Sequence, residues 1–375
     1  MYKLLKTDKN CKARRGVVST AHGDIQSPFF MPVGTNSSVK SLTFEDVNEI
    51  GAQIVLCNAY HLFLRPGLEV FEAAKGLHNF MSWQKPTLTD SGGYQVFSLA
   101  KLRKLQDDGV EFQSHIDGAY HFFTPEKVID IEQSIGADMI MPLDVCAPYP
   151  CSRHEAEESV RLTTSWAKRA RKYFLENRRS DRSQNLFAII QGATYKDLRE
   201  RSAQELLDIG FDAYAIGGVS VGEPVKDMFE ALDWTMPFLP KDKQRYFMGI
   251  GLPDQIVKAV GEGIDMFDTC LPTRFGRHGT AFTAYGRIIV RNEEFKFDFT
   301  PIDPECDCLV CRRYSKSYIR HLLKLKEITG LKLVTYHNLY FYVNLMRKIR
   351  KAIEDDQYVA FANDFLEKYG SELRV

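Results

Sequence analysis

Apolar runs of strand length recur along the chain, and a stretch with helical spacing follows most of them. Phe29–Val33 is the first run, and Thr43-Phe-Glu-Asp after it reads as a capped helix start. Gln53–Cys57 precedes a helix from about Gly67 to Lys75, and Pro86–Thr89 leads into Asp90. A longer excursion then passes through Phe112–Ile116 and Tyr120–Phe123, a hairpin that turns at Asp117-Gly118. Thr124-Pro125-Glu126 starts a helix with proline at its first position, running to Ile135. Strands follow at Asp138–Leu143, Leu186–Ile190, Ala213–Ile216, Tyr246–Ile250 and Met266–Phe267. The helices between them are read at about Arg153–Glu176, Lys196–Ile209, Val225–Leu232 and Asp254–Gly261.

This alternation implies a parallel sheet, and eight strands is the number that closes a barrel. The rival is a doubly wound sheet, which is weakened because no G-x-G-x-x-G follows the first strand. The predicted class is therefore α/β, a (β/α)8 TIM barrel, to which the clustered thiols Cys306, Cys308 and Cys311 add a zinc-binding subdomain near the C-terminus. Residues 1–300 are read as the barrel, with an N-terminal lead-in and the hairpin excursion at about 110–123. Residues 301–350 form the basic zinc-binding subdomain, and 351–375 a C-terminal helix that packs back on the barrel. The strand exits carry Asp90, Asp144, Gln191, Gly217-Gly218, Gly249 and Asp268. Singly, each reads as a cap or a turn residue. Converging on one barrel mouth, three acids and an amide read as a site.

Composition narrows the setting. The chain has 375 residues, 44% of them apolar, enough for a substantial core. Its N-terminus is charged, and no run approaches the roughly 20 apolar residues of a membrane span. A soluble, cytoplasmic protein is expected. Net charge is zero, which argues against a non-specific polyanion binder. From Cys306 to Lys351, however, 11 Lys or Arg face two acids, so this segment carries +9 and the remainder −9. That asymmetry fits a local nucleic-acid footprint as well as a solvated helical face.

The richest stretch for chemistry is Ile264–Thr280, where a short apolar run delivers Asp268 and a turn then presents Arg274, Arg277 and His278. Guanidinium forks suit phosphates or carboxylates. Two carboxylates around a pocket equip it for glycosidic chemistry, one as nucleophile and one as proton shuttle. A third carboxylate suits the N–H and NH₂ edge of a purine. Gln191 offers a donor and an acceptor to a carbonyl. In Asp90-Ser91-Gly92-Gly93-Tyr94-Gln95 the glycines admit close backbone approach, and Tyr94 offers a stacking face. Cys306-x-Cys308-x-x-Cys311 with a later histidine is a metal-ligand set, and three thiolates plus an imidazole close a tetrahedral zinc site. Spacing alone does not choose between His321 and His337. Lys316, Arg320 and Lys324 form a basic stripe opposite Ile319, Leu322 and Leu323.

Together these residues resemble the tRNA-guanine transglycosylase family, in its bacterial queuine type, over essentially the whole chain. The motifs are LTDSGGYQVFSL (Leu88–Leu99), MPLDVCAPYP (Met141–Pro150), IIQGA (Ile189–Ala193), IGGVSVGE (Ile216–Glu223), YFMGIG (Tyr246–Gly251), FDTCLPTR (Phe267–Arg274) and the cysteine set. The resemblance implies a zinc-containing barrel, usually a homodimer. Such a pentosyltransferase exchanges guanine at the wobble position of tRNAs with a GUN anticodon for 7-aminomethyl-7-deazaguanine, the queuosine precursor. It implies Asp268 as the nucleophile toward the ribose and Asp90 as general acid/base. Asp144, Gln191 and the Gly218 amide then read the base, between Tyr94 and Met248. Cys306, Cys308, Cys311 and His337 hold zinc, and Arg274 and Arg277 face the anticodon loop. Cys146 and Val221 match the bacterial pattern that prefers the aminomethyl base.

The sequence departs from the family in two places. Val219-Ser220 replaces the usual Leu-Ala or Leu-Ser, and Phe275-Gly276-Arg277-His278 replaces Asn-x-Arg-Asn. A barrel glycoside hydrolase is one alternative, against which the basic zinc segment argues. A non-catalytic tRNA-binding partner subunit is another, and such relatives lose the acids that stand here at Asp90 and Asp268.

Overall fold

The computed structural model describes residues 2–99 and 102–370. Eight short strands build a parallel sheet: β1 (Phe29–Pro32), β2 (Val55–Asn58), β3 (Thr87–Asp90), β4 (Met139–Ile140), β5 (Asn185–Ile190), β6 (Ala213–Ile216), β7 (Arg245–Phe247) and β8 (Met266–Thr269). Sequential strands are neighbours from β2 to β8, and β8 pairs in turn with β1. The last seam, β1 to β2, is joined by a Val33–Leu56 bridge and by the Gly34 amide donating to the Leu56 carbonyl at 2.6 Å. The predicted barrel is present. Most of its strands are largely apolar because both faces are covered. Phe29, Met31, Leu88, Phe187 and Met266 fill the interior. Alternate residues such as Phe30, Ile140, Ile190 and Phe267 join the cluster outside.

Several elements differ from the sequence reading. The strand expected at Asp138–Leu143 pairs only over Met139–Ile140, and Pro142 beyond it has no N–H for a ladder. The Tyr246–Ile250 strand ends at Phe247, before Gly249 turns the chain with φ +72°. The single helix expected over Gly67–Lys75 is Leu68–Ala73, flanked by Ala59–Leu64 and Leu77–Met81, with Pro66-Gly67 and Gly76 as breaks. The excursion has a third strand, Arg103–Gln106, beside Gly109–Gln113 and Tyr120–Phe123. That strand is exposed throughout, so no apolar alternation marks it.

The N-terminal lead-in is a three-stranded antiparallel sheet, Tyr2–Thr7, Arg14–Thr20 and Gly23–Ser27. Its Val18 and Ile25 pack into the barrel interior. Arg14 forms a buried ion pair with Asp265, the residue before β8, and Asp265 also accepts from the Arg245 amide at 2.9 Å.

After β8 come helix α1 (Leu271–Arg277), a hairpin of Thr280–Thr283 and Gly286–Ile289, and the 27-residue helix α2 (Ile328–Glu354). Helix α2 crosses from the cysteine cluster to the barrel. His337 lies in its first half, the Tyr342 hydroxyl donates to the Gly251 carbonyl at 2.6 Å, and Arg350 donates to the Pro28 carbonyl at 2.7 Å. A last helix covers Tyr358–Tyr369, and 371–375 lie outside the described residues. Among the described residues no helix is long and apolar enough to cross a membrane.

Candidate active site and metal centre

Strand direction decides where the polar groups meet. All eight barrel strands run the same way, so their C-terminal ends share one mouth. A cavity of about 430 Å³ opens there, lined by Asp90, Tyr94, Asp144, Gln191, Gly218, Met248 and Asp268 among others. Seven residues singled out from the sequence therefore stand around one space.

Asp268 is the third of the four residues of β8 rather than the residue after it. The Tyr246 hydroxyl donates to its Oδ1 at 2.6 Å and the Gly249 amide donates to the same oxygen at 2.8 Å. Burial pushes this carboxyl above the usual range, and those two donors pull it back toward the anion. Asp90, at the end of β3, has a different setting. Asn58 donates to its Oδ2 at 2.7 Å and Gln95 at 3.1 Å, while Oδ1 is buried without a partner. Burial first, and then the charge of Asp268, raise Asp90 to about 7. Burial thus raises both carboxyls, and Asp90 is raised further by the charge of Asp268.

Beside them the wall reads polar edges. Gln191 donates from Nε2 to Asp144 Oδ2 at 2.8 Å, and its Oε1 is buried without a partner. Burial lifts Asp144 to about 6 against the opposing donors of Gln191 and Ser91. Gly218 takes φ +64°, and a β-carbon on Gly217 would stand 2.6 Å from the Ile189 side chain, so glycine alone fits this backbone. Tyr94 is 49% exposed at the rim, and Met248 lines the floor. Cys146, Val219 and Val221 also line the cavity. Ser220 is tied down by its hydroxyl, which donates to the Gly249 carbonyl at 2.9 Å, and by its amide, which donates to Glu223.

Sequence reasoning missed Asn58 and Tyr246. Asn58 ends β2, so the strand-exit rule applied to it unnoticed. Tyr246 sits mid-strand, and nothing in its neighbours marks it as reaching Asp268.

Arg274 and Arg277 fall on α1 rather than in an open turn, and neither lines the cavity. Arg274 is exposed, while Arg277 donates to the Thr273 carbonyl at 3.2 Å. The unusual Phe275-Gly276 pair is structural. Phe275 stacks on Phe282 with ring centroids 5.6 Å apart, and a β-carbon on Gly276 would meet Thr335 of α2 at 2.6 Å.

The structure brings His337, not the exposed His321, to the three cysteines. Its Nδ1 lies 3.7, 3.6 and 3.3 Å from the sulfurs of Cys306, Cys308 and Cys311, and all four ligand atoms fall within 4.8 Å of one another. Tetrahedral bonds of about 2.3 Å to sulfur and 2.0–2.1 Å to nitrogen set neighbouring ligands roughly 3.6 Å apart, so the donors fit a metal ion. His337 Nε2 lies 2.7 Å from the Phe282 carbonyl, which fixes the ring and leaves Nδ1 for the metal. The basic stripe is less open than its spacing suggested. Lys316 pairs with Asp298 at 2.7 Å, and Arg320 pairs with Glu293. Both acids precede Cys306, so the positive excess from Cys306 to Lys351 is partly neutralised.

Comparison with known proteins agrees with the geometry. The family model described as Queuine tRNA-ribosyltransferase matches residues 8–371. A queuine tRNA-ribosyltransferase of Caldanaerobacter subterraneus is 53% identical over 98% of this chain and 97% of its own. That of Halothermothrix orenii is 54% identical over the same shares, and that of Pelotomaculum thermopropionicum 53% over 96% of each. The resemblance read from the motifs holds along nearly the full length, and the chain is a transferase. It belongs to the queuine tRNA-ribosyltransferase family.

Proposed function

We propose that this enzyme exchanges guanine at the wobble position of tRNAs with a GUN anticodon for 7-aminomethyl-7-deazaguanine, through a covalent bond between Asp268 and the ribose. One observation carries the reading: two carboxylates in one cavity, Asp268 braced toward the anion by Tyr246 and Gly249, and Asp90 raised to about 7. An oxygen of Asp268 attacks C1′, and the C1′–N9 bond breaks with its electron pair going to the purine. The departing purine takes the proton held by Asp90. The incoming base returns a proton to Asp90 as its N9 attacks C1′ and expels Asp268. The covalent relay is needed because the sugar must wait while one heterocycle leaves and another enters.

Asp144 accepts from the N1–H and NH₂ edge, and Gln191 and the Gly218 amide address the 6-oxo group. Tyr94 and Met248 stack on the faces of the base, and Cys146 and Val221 accommodate the aminomethyl group. A base outside the helix stack is what such a pocket takes, so a loop nucleotide is the fitting substrate. Arg274 and Arg277 hold the anticodon loop. The ion at Cys306, Cys308, Cys311 and His337 is zinc, and four protein ligands leave it no open position, so it serves folding rather than chemistry. The enzyme works in the cytoplasm as a homodimer, a state that sedimentation would check. Labelled guanine should enter tRNA with a GUN anticodon and not tRNA with another anticodon. Asp268→Asn should abolish this by at least roughly a thousandfold, and robust exchange by that variant would remove the nucleophile assignment.

A further inference from the structure

Behind the wall that carries Gln191 and Gly218, helix Lys196–Ile209 buries Arg199 completely. Among the described residues no carboxylate lies within ion-pair reach of it. Its donors go to backbone carbonyls instead: Nε to Ala193 at 2.8 Å, and Nη1 to Ile190 at 3.2 Å and to Gly217 at 2.6 Å. Nη2 is buried without a partner and lies 3.5 Å from where a β-carbon on Gly218 would stand. Burial draws the group down to about 10, which leaves it a cation at neutral pH. Glu223 attracts the cation from beyond ion-pair distance, but a buried cation without a direct ion pair is strongly unfavourable for folding alone. Its placement points to another use.

The Gly217–Gly218 bond is not among the cis peptides. In a trans peptide the carbonyl and the N–H point in opposite directions. Arg199 draws the Gly217 carbonyl outward, so the Gly218 N–H of the same unit faces the other way. There it approaches the Cys146 thiol, which lines the cavity. The same guanidinium holds the turn that carries Gln191, where Ala193 takes φ +47°. We propose that Arg199 is a positioning residue for base recognition. It fixes the Gly217–Gly218 peptide so that its N–H meets the 6-oxo group of the purine, and thereby sets a preference for 6-oxopurines. This rests on the reading of the cavity as a purine site.

Arg199→Lys keeps the charge but loses the three-carbonyl fork, and Arg199→Gln removes the charge. Calorimetry with guanine and 6-thioguanine isolates the contact, because sulfur, a weaker acceptor, replaces only the 6-oxo oxygen. The unmutated protein should prefer guanine. Both variants should lose roughly tenfold of that preference, the equivalent of one well-placed hydrogen bond. In the exchange assay they should raise KM for guanine with kcat changed far less. Leu206→Ala, buried two turns along the same helix, should lower Tm and leave the preference intact. Arg199 variants that lower Tm with an unchanged preference would show a purely structural residue and overturn the proposal.

If neither variant folds, the unmutated protein decides. Nitrogen-15 signals of the Arg199 guanidinium should shift more with guanine than with 6-thioguanine, and equal shifts overturn the role. A protein that binds neither base removes the purine-site reading and this inference with it. One that exchanges guanine without preferring the 6-oxo group overturns the role of Arg199 alone.

Discussion

Asp90 and Asp268 are the same side chain held in two environments, and the difference is read in protons. An unfolded aspartate releases its proton near 3.9, whereas folded Asp90 keeps it to about 7. Between those values the unfolded chain binds fewer protons than the folded one, so stability falls as pH rises. Asp90→Asn removes that cost and keeps an acceptor for Asn58 and Gln95. The variant should be more stable than the parent at pH 8 by up to about 4 kcal/mol, nearly equal to it at pH 4, and inactive in base exchange. Urea denaturation at the two pH values measures this. A difference that does not change between them would contradict the protonation assigned to Asp90. That Asp90 and Asp268 share a site was legible from strand exits. That they differ was not, because Tyr246, Gly249, Asn58 and Gln95 reach them through the fold.

At the scale of elements, α1 depends on what braces it. Asn338 of α2 accepts from the Phe282 amide at 3.0 Å and donates to the carbonyls of Pro272 and Thr280 at 3.0 and 2.9 Å. One residue earlier, His337 joins the cysteine cluster to the Phe282 carbonyl. A metal ion bound there would hold the hairpin and α1 against the long helix. Because a structural metal contributes its binding energy to folding, chelation or Cys308→Ala should lower Tm by about 10 °C. Metal analysis of the intact protein should return one zinc per chain, and an unchanged Tm after verified metal loss would leave the cluster without this bracing role. The cysteine spacing announced the site. The bracing by Asn338 and the close fit of Gly276 against Thr335 did not show, since each joins residues about 60 apart in sequence.

Across the whole molecule the two ends of the barrel have separate duties. The C-terminal mouth holds the acids, and the N-terminal end holds the small antiparallel sheet and the Arg14–Asp265 pair. Arg14 also donates to the carbonyls of Lys241 at 2.9 Å and Lys243 at 2.6 Å, so it ties that sheet to the approach to β7. Arg14→Met leaves Asp265 buried without its cation and should cost about 3–5 kcal/mol, measured by urea denaturation. Exchange activity per folded molecule should be unchanged, because the cavity lies at the other end. A loss of turnover without a loss of stability would argue against this division.

Local pattern settled what local physics controls. Apolar runs of strand length and the 3.6-residue period named most of the barrel strands and helices, and a strand count of eight named the closure. The cysteine spacing named a metal-ligand set, and the motifs named the family. Only the tertiary structure decided what depends on groups far apart in sequence. It supplied the N-terminal sheet, whose strands mix charged and apolar residues, the wholly exposed strand at Arg103–Gln106, and the ion pairs that quiet Lys316 and Arg320. It set Arg199 behind Gly217, and at the metal cluster it agreed with the family resemblance, which implied His337 where spacing left His321 open. Proton affinity, amide direction and metal geometry all follow from distances of a few ångströms between such groups, and sequence spacing does not fix those distances.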